Sequence, residues 1–195
     1  MNAESPNLLS KLHYRLFALV EDRLIMPARC WYLRSRGARI GKRNRIGTIH
    51  VSWPHRLQLG DNCVVENGVR FHYYGRSSEG PGICIGDGVF IGAGCDFNIS
   101  TSVEIGDDCL LAPGCRITDG PHEIAMAASS TAQQLVRGEP ITIGPDVRLG
   151  TNAIVLKGVT IGRGAIIGPG TVVNRSVPPR EIWSGVPARK VGGQP

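Results

Sequence analysis

His122 is the side chain with the plainest capacity for chemistry. It ends the string Thr118-Asp119-Gly120-Pro121-His122. An imidazole titrates near about 6.5, so at neutral pH its free base can take a proton from an attacking nucleophile. Asp119, three residues earlier, is of the type that orients such a ring. As part of Asp-Gly-Pro it equally suits an ordinary turn. Taken alone, His122 also fits an exposed loop histidine. Asp96 lies between Cys95 and Phe97, both inward in the pattern below, so strand alternation turns it outward. It is either a site carboxylate or a solvated one. His50, His55, His72 and His122 form no convincing ligand set, and the six cysteines contain no Cys-x-x-Cys pair. No metal is expected.

The element that must position these residues is a six-residue repeat. An aliphatic recurs at 143, 149, 155, 161, 167 and 173, commonly followed by glycine, two turn-type residues and a small residue. The same phase runs through Leu59, Val65 and Phe71; through Ile85, Ile91 and Phe97; and through Ile105, Leu111 and Ile117. A period of six fits neither an amphipathic helix nor a hairpin strand. It predicts a solenoid of very short strands with a corner every six residues. Cys63, Cys95, Cys109 and Cys115 fall in the small inward slot and read as buried small hydrophobes. The phase breaks around 72–82, 98–104 and 118–140, where His72 and His122 are placed in loops. Inserted loops of solenoids often carry the binding face.

The 195 residues read as one domain with a terminal appendage: a basic helical segment at 1–37, the repeat coil at 38–177 with a protruding loop at 118–140, and a tail at 178–195. Net charge is +6. It is concentrated at the start, since residues 1–45 hold ten Lys/Arg against three acids and the remainder holds twelve against thirteen. Nucleic acid is not an expected partner. Ser5-Pro6 opens a predicted helix that Pro27 ends or kinks, and a second helical piece spans about 28–36. This arm either caps the open end of the coil or touches a membrane surface or anionic glycolipid. Charged residues interrupt the early apolar stretch. No leader or membrane span is expected, and the chain reads as cytoplasmic, with peripheral contact at the inner membrane face through residues 1–37 as a further option.

The repeats, the His122 loop and the tail Trp183-Ser184-Gly185-Val186-Pro187-Ala188-Arg189 together resemble the hexapeptide-repeat acyltransferases. The chain is most similar to sugar O-acetyltransferases of the galactoside, maltose and nodulation type, and to related enzymes of surface-polysaccharide pathways. The resemblance covers about residues 38–192. It implies an all-β fold, a left-handed parallel β-helix with an N-terminal helical cap. It also implies a homotrimer, acetyl-CoA as co-substrate, and a sugar or glycan acceptor. His122 falls on the family's catalytic histidine, and Asp96 falls where these enzymes carry an asparagine near the acceptor. His72, Tyr73 and Tyr74 match an aromatic acceptor stretch, with Asn98 beside the acceptor. Gly150 and Thr151 match the corner along the thioester, and Pro169, Asn174, Arg175 and Arg189 match contacts to the pantetheine arm or CoA phosphates. The expected activity is O-acetyl transfer. Other readings are N-acetylation of an amino-sugar nucleotide, a non-catalytic scaffold, or a carbonic-anhydrase-like protein.

Overall fold

A residue pair pointing inward every six positions forces the chain to turn a corner after each short strand, and three such corners close one coil. The computed structural model, which describes residues 20–74, 82–120 and 138–193, shows that outcome. Its strands form three sheets that are the faces of a prism. The first face stacks Arg39–Ile40, Leu57–Leu59, Ile83–Ile85, Val103–Ile105, Ile141–Ile143 and Thr160–Ile161. The second stacks Arg45–Ile46, Val64–Val65, Phe90–Ile91, Leu110–Leu111, Arg148–Leu149 and Ile166–Ile167. The third stacks His50–Val51, Arg70–Tyr73, Asp96–Ile99, Arg116–Thr118, Ile154–Val155 and Val172–Val173. Neighbouring coils pair in parallel.

The core is a set of columns. Ile46, Val65, Ile91, Leu111, Leu149 and Ile167 are buried one above another. Phe71 and Phe97 stack with centroids 4.7 Å apart. The cysteines occupy the small slots as expected. Cys63, Cys95, Cys109 and Cys115 are all buried, and each Sγ donates to a backbone carbonyl of the next coil, as in Cys109 to Gly144 at 3.1 Å. Burial pushes the Cys109 thiol up to about 11. Thiolate is the reactive form. A thiol-reagent titration of the folded protein is therefore expected to modify Cys84 alone, which is partly exposed while the other five are buried. All six should react in denaturant, and fast reaction of several thiols in the native state would contradict this packing.

Corners are held by polar ladders. Asp61 accepts from Lys42 N, Asp87 from Asp61 N and Asp107 from Asp87 N, at 2.7–2.8 Å. Gly150 shows why the slot after the aliphatic excludes a side chain: a Cβ there would lie 2.5 Å from Pro169 N in the coil above.

Both open ends of the stack are covered. Helix α1, Met26–Ser35, packs Cys30 and Leu33 against the first coil, and Arg34 Nε donates to Ile40 O at 2.9 Å. The chain enters α1 from a π-helical turn, Glu21–Ile25, so Pro27 sits in the first turn of the helix and does not end one there. The π-helical turn directly before Pro27 is the kind of irregularity that accompanies a proline within a helical run. At the far end Glu181–Ser184 pairs parallel with Ile166–Ile167, and Arg189–Gly193 folds back antiparallel. Lys190 and Trp183 donate to the Glu181 carboxylate and hold it below the usual carboxylate range.

The segments interrupting the repeat follow strands of the third face: 74–82 after Arg70–Tyr73, 100–102 after Asp96–Ile99, and 119–140 after Arg116–Thr118. They all depart from the corner between the third and first faces. The Ser5-Pro6 helix start, His122 and the interior of the 118–140 loop lie outside the described residues.

Candidate functional site

The outer surface of the third face carries the ionisable groups. Register aligns His50, Arg70, Asp96 and Arg116 in one row, and His72, Asn98 and Thr118 in the next. His72 is on a strand and not in a loop: regular alternation continues through Tyr73 before the break begins. Its ring lies 5.1 Å from that of His50 and stacks on Tyr74 at 5.9 Å.

Tyr73 does not belong to an acceptor pocket on this surface. It is two residues from inward Phe71, so the strand period turns it into the core, where it is 5% exposed. Its hydroxyl accepts from Arg56 Nη2 at 2.7 Å, and the Arg56 guanidinium lies 4.3 Å from its ring centre. His72 and Tyr74, on either side, face outward.

Asp96 is outward but largely enclosed, with its side chain 13% exposed. Arg70 Nη2 donates to Asp96 Oδ2 at 2.8 Å. The other oxygen, Oδ1, is buried without a hydrogen-bond partner among the described residues. Leaving a buried acceptor unsatisfied costs about 1–3 kcal/mol, and more for a charged group. An oxygen so placed is prepared for a donor from a substrate or another segment. Arg70 was not singled out from sequence. Aligning the repeat slots reveals it, since positions 70, 96 and 116 each precede the inward residue of equivalent strands.

Asp119 is fully buried. It accepts from Ser100 N at 2.7 Å, Ser100 Oγ at 2.9 Å and Thr101 N at 2.5 Å. Its carboxylate thus braces the Ser100–Thr101 turn of the coil below, at the point where the segment containing His122 departs.

The second group of residues lies elsewhere. Gly150, Thr151 and Pro169 stack at the corner between the second and third faces, with Gly170 N donating to Thr151 O at 2.8 Å. Among the described residues no acceptor takes the Thr151 N–H. Asn174 and Arg175 are exposed just after Val172–Val173. Ala188 N donates to Val172 O at 2.9 Å, which brings exposed Arg189 to the same end of the stack. Within one chain, Asp119 and the Gly150–Thr151 corner lie at opposite edges of the third face. Among the described residues no cluster of three or more His, Cys, Asp or Glu side chains has metal-site geometry, and no helix is long and apolar enough to cross a membrane.

The family description "Bacterial transferase hexapeptide (six repeats)" fits residues 140–175, and "Hexapeptide repeat of succinyl-transferase" fits residues 57–70 and 82–119. The chain is 36% identical over 116 residues to the probable acetyltransferase Rv3034c of Mycobacterium tuberculosis, covering 60% of this chain and 38% of that one. It is 31% identical over 137 residues to the galactoside O-acetyltransferase of Escherichia coli, covering 68% and 62%. It spans less than two thirds of both these relatives. Identity to the putative lipopolysaccharide biosynthesis O-acetyl transferase WbbJ of Escherichia coli is 30% over 140 residues, covering 68% of this chain and 69% of the relative. Among solved structures, the N-acyltransferase AntD from Bacillus cereus, in complex with dTDP and 3-hydroxybutyryl-CoA, superposes with a TM-score of 0.68 at 20% identity, covering 84% and 87%. A maltose O-acetyltransferase from Clostridium difficile superposes at 0.61 with 22% identity, covering 97% and 90%. These two likenesses concern the fold. Six-residue repeats wound into coils that stack in parallel, matched by the family descriptions and by the sequence of WbbJ, make this chain a member of the hexapeptide-repeat transferase family, folded as a left-handed parallel β-helix.

Proposed function

We propose that the chain is an acetyl-CoA-dependent O-acetyltransferase acting on a hydroxyl of a sugar or surface-polysaccharide precursor, working as a homotrimer. The observation that carries this reading is the Asp96 carboxylate: fixed by Arg70, with one buried oxygen awaiting a donor, on the face from which the His122 segment departs. His122 is the general base. It takes the acceptor's hydroxyl proton as that oxygen attacks the acetyl carbonyl carbon. The developing oxyanion is met by a backbone N–H at Gly150–Thr151, where the Thr151 N–H has no competing acceptor among the described residues. The C–S bond then breaks, and the imidazolium returns its proton to the CoA thiolate. Asp119 acts at one remove, by fixing the turn beside the His122 segment. His72, Tyr74 and Asn98 contact the acceptor. Pro169, Asn174, Arg175 and Arg189 hold CoA, the arginines pairing with its phosphates.

The assembly reading is supported by placement. Asp119, after which the chain runs on toward His122, and the thioester corner lie at opposite edges of one face, so a neighbouring copy in the proposed trimer would supply the second edge. The reading is tested by transfer of label from radiolabelled acetyl-CoA to paired hydroxyl and amino sugars. Preferential turnover of hydroxyl acceptors is expected; preference for amines would replace it with N-acetyl transfer. In the same assay Asp96→Asn is expected to lower kcat/KM about ten- to hundred-fold, the worth of a charged hydrogen bond. Its thermal stability should hold, because the substitution removes an enclosed charge while the amide oxygen can still accept from Arg70. An unchanged kcat/KM would remove Asp96 from the site.

A further inference from the structure

A cavity of about 410 Å³ lies between α1 and the first coil. That is the size of a small-molecule site. Its wall is largely apolar, with Leu33, Ile46, Ile49 and Val51, and its polar groups are Arg29 and Tyr32 from the helix, Arg36 at the helix C-cap, Thr48, and His50 from the third face. Among the described residues no carboxylate lines it. Arg29 is fixed by donating to Ile46 O and Thr48 Oγ1, both at 3.2 Å, and Arg36 Nη1 donates to the Tyr32 hydroxyl at 3.0 Å. Held guanidinium groups beside a ring nitrogen and a hydroxyl match the oxygens of a phosphate or diphosphate.

One wall residue of this cavity, His50, lies in the same row as the proposed site. His50 is in register with Arg70, and Arg70 with Asp96. The cavity wall and the Asp96 carboxylate are therefore two strands apart, about 10 Å at the usual spacing. That span suits one pyranose ring with its anomeric phosphate. His72, whose ring touches that of His50, bridges the two.

Resting on the acetyltransferase reading above, we infer that the cavity is the acceptor's anionic subsite, and that the acceptor is a diphosphate-linked sugar and not a free saccharide. The diphosphate seats between Arg29, Arg36 and His50, and the sugar lies over His72 toward Asp96. The exposed arginine of the pair, Arg36, is the one to vary, since Arg29 also ties the helix to the coil.

The test uses the full chain and two readouts. By calorimetry, uridine diphosphate is expected to bind the parent and to bind Arg36→Gln and His50→Gln at least tenfold more weakly, with CoA affinity unchanged in all three. In steady-state assays three acceptors are compared: a nucleoside-diphosphate hexose, a hexose on a short polyprenyl diphosphate, and the free hexose. Both diphosphate-linked sugars, or one of them, should show a KM at least tenfold below the free hexose. Arg36→Gln should erase that advantage with kcat retained, and should leave the free hexose unaffected. The better linked substrate identifies the nucleotide or the lipid as the source. Equal KM values for linked and free sugars in an active enzyme would overturn the inference while the acetyltransferase reading stands. Uridine diphosphate binding that CoA displaces, or that both variants retain, would overturn it as well. So would affinity of the arginine cluster for phosphatidylglycerol vesicles but not for uridine diphosphate, which would make the face a membrane contact. Binding at the cavity with no acetyl transfer to any acceptor would leave an anion subsite and discard the acetyltransferase reading.

Discussion

Replacing His122 by alanine is expected to reduce kcat for acetyl transfer by about a hundred- to ten-thousand-fold while acetyl-CoA still binds. An alcohol attacks a thioester poorly unless its proton is removed as the C–O bond forms. The other ionisable side chains described on this face are engaged otherwise. Asp96 holds Arg70, Asp119 is committed to Ser100 and Thr101, and the His72 ring is stacked between His50 and Tyr74. Thiol chemistry is not required, because the direct transfer forms no acyl-enzyme, and the cysteines of the core are donors to backbone carbonyls. The check is a comparison of parent and variant by labelled transfer, with CoA affinity measured separately. The acid limb of the pH–rate profile, which reports protonation of the base, should disappear from whatever activity remains. A variant within a fewfold of the parent would move the base elsewhere.

Phe97→Ala is expected to cost about 3–5 kcal/mol in unfolding free energy, the usual range for removing a fully enclosed aromatic from a core. Phe97 has no exposed surface, stacks on Phe71, and sits on the strand that also presents Asp96 and Asn98. Neighbouring coils are rigidly paired on both sides, so the cavity left behind has little freedom to collapse. Urea unfolding should show a lower midpoint at an unchanged slope. Because the two flanking residues lose their support, activity should fall by more than the folded fraction does. A loss under about 1 kcal/mol would mean that the coil repacks more readily than its stacked geometry implies.

How far the sequence could be read depended on whether the controlling contact was local. The inward slots at Ile91, Cys95 and Phe97 follow from period alone, and so does the outward direction of Asp96. Tyr73 should have followed in the same way, since inward Phe71 lies two residues before it. Its likeness to an aromatic acceptor stretch pointed outward, and the alternation prevailed. Asp119 was undecidable because its partners, Ser100 and Thr101, belong to the preceding coil. The Arg70–Asp96 pair spans 26 residues where the next coil spans 20, so inserted length conceals it. The α1 cavity depends on how a helix lies across a coil, and no repeat pattern encodes that.

The departure of 74–82, 100–102 and 119–140 from a single corner has a further consequence. After each excursion the chain re-enters the first face at Ile83, Val103 and Ile141, which sit in mutual register. The lengths of the excursions therefore never reach the columns of Ile, Val and Cys that hold the prism together. Scaffold and excursion are mechanically separate: one edge can be lengthened or shortened while the other two edges and the interior keep their register. The seam is a place where such a chain can take on new length without renegotiating the fold.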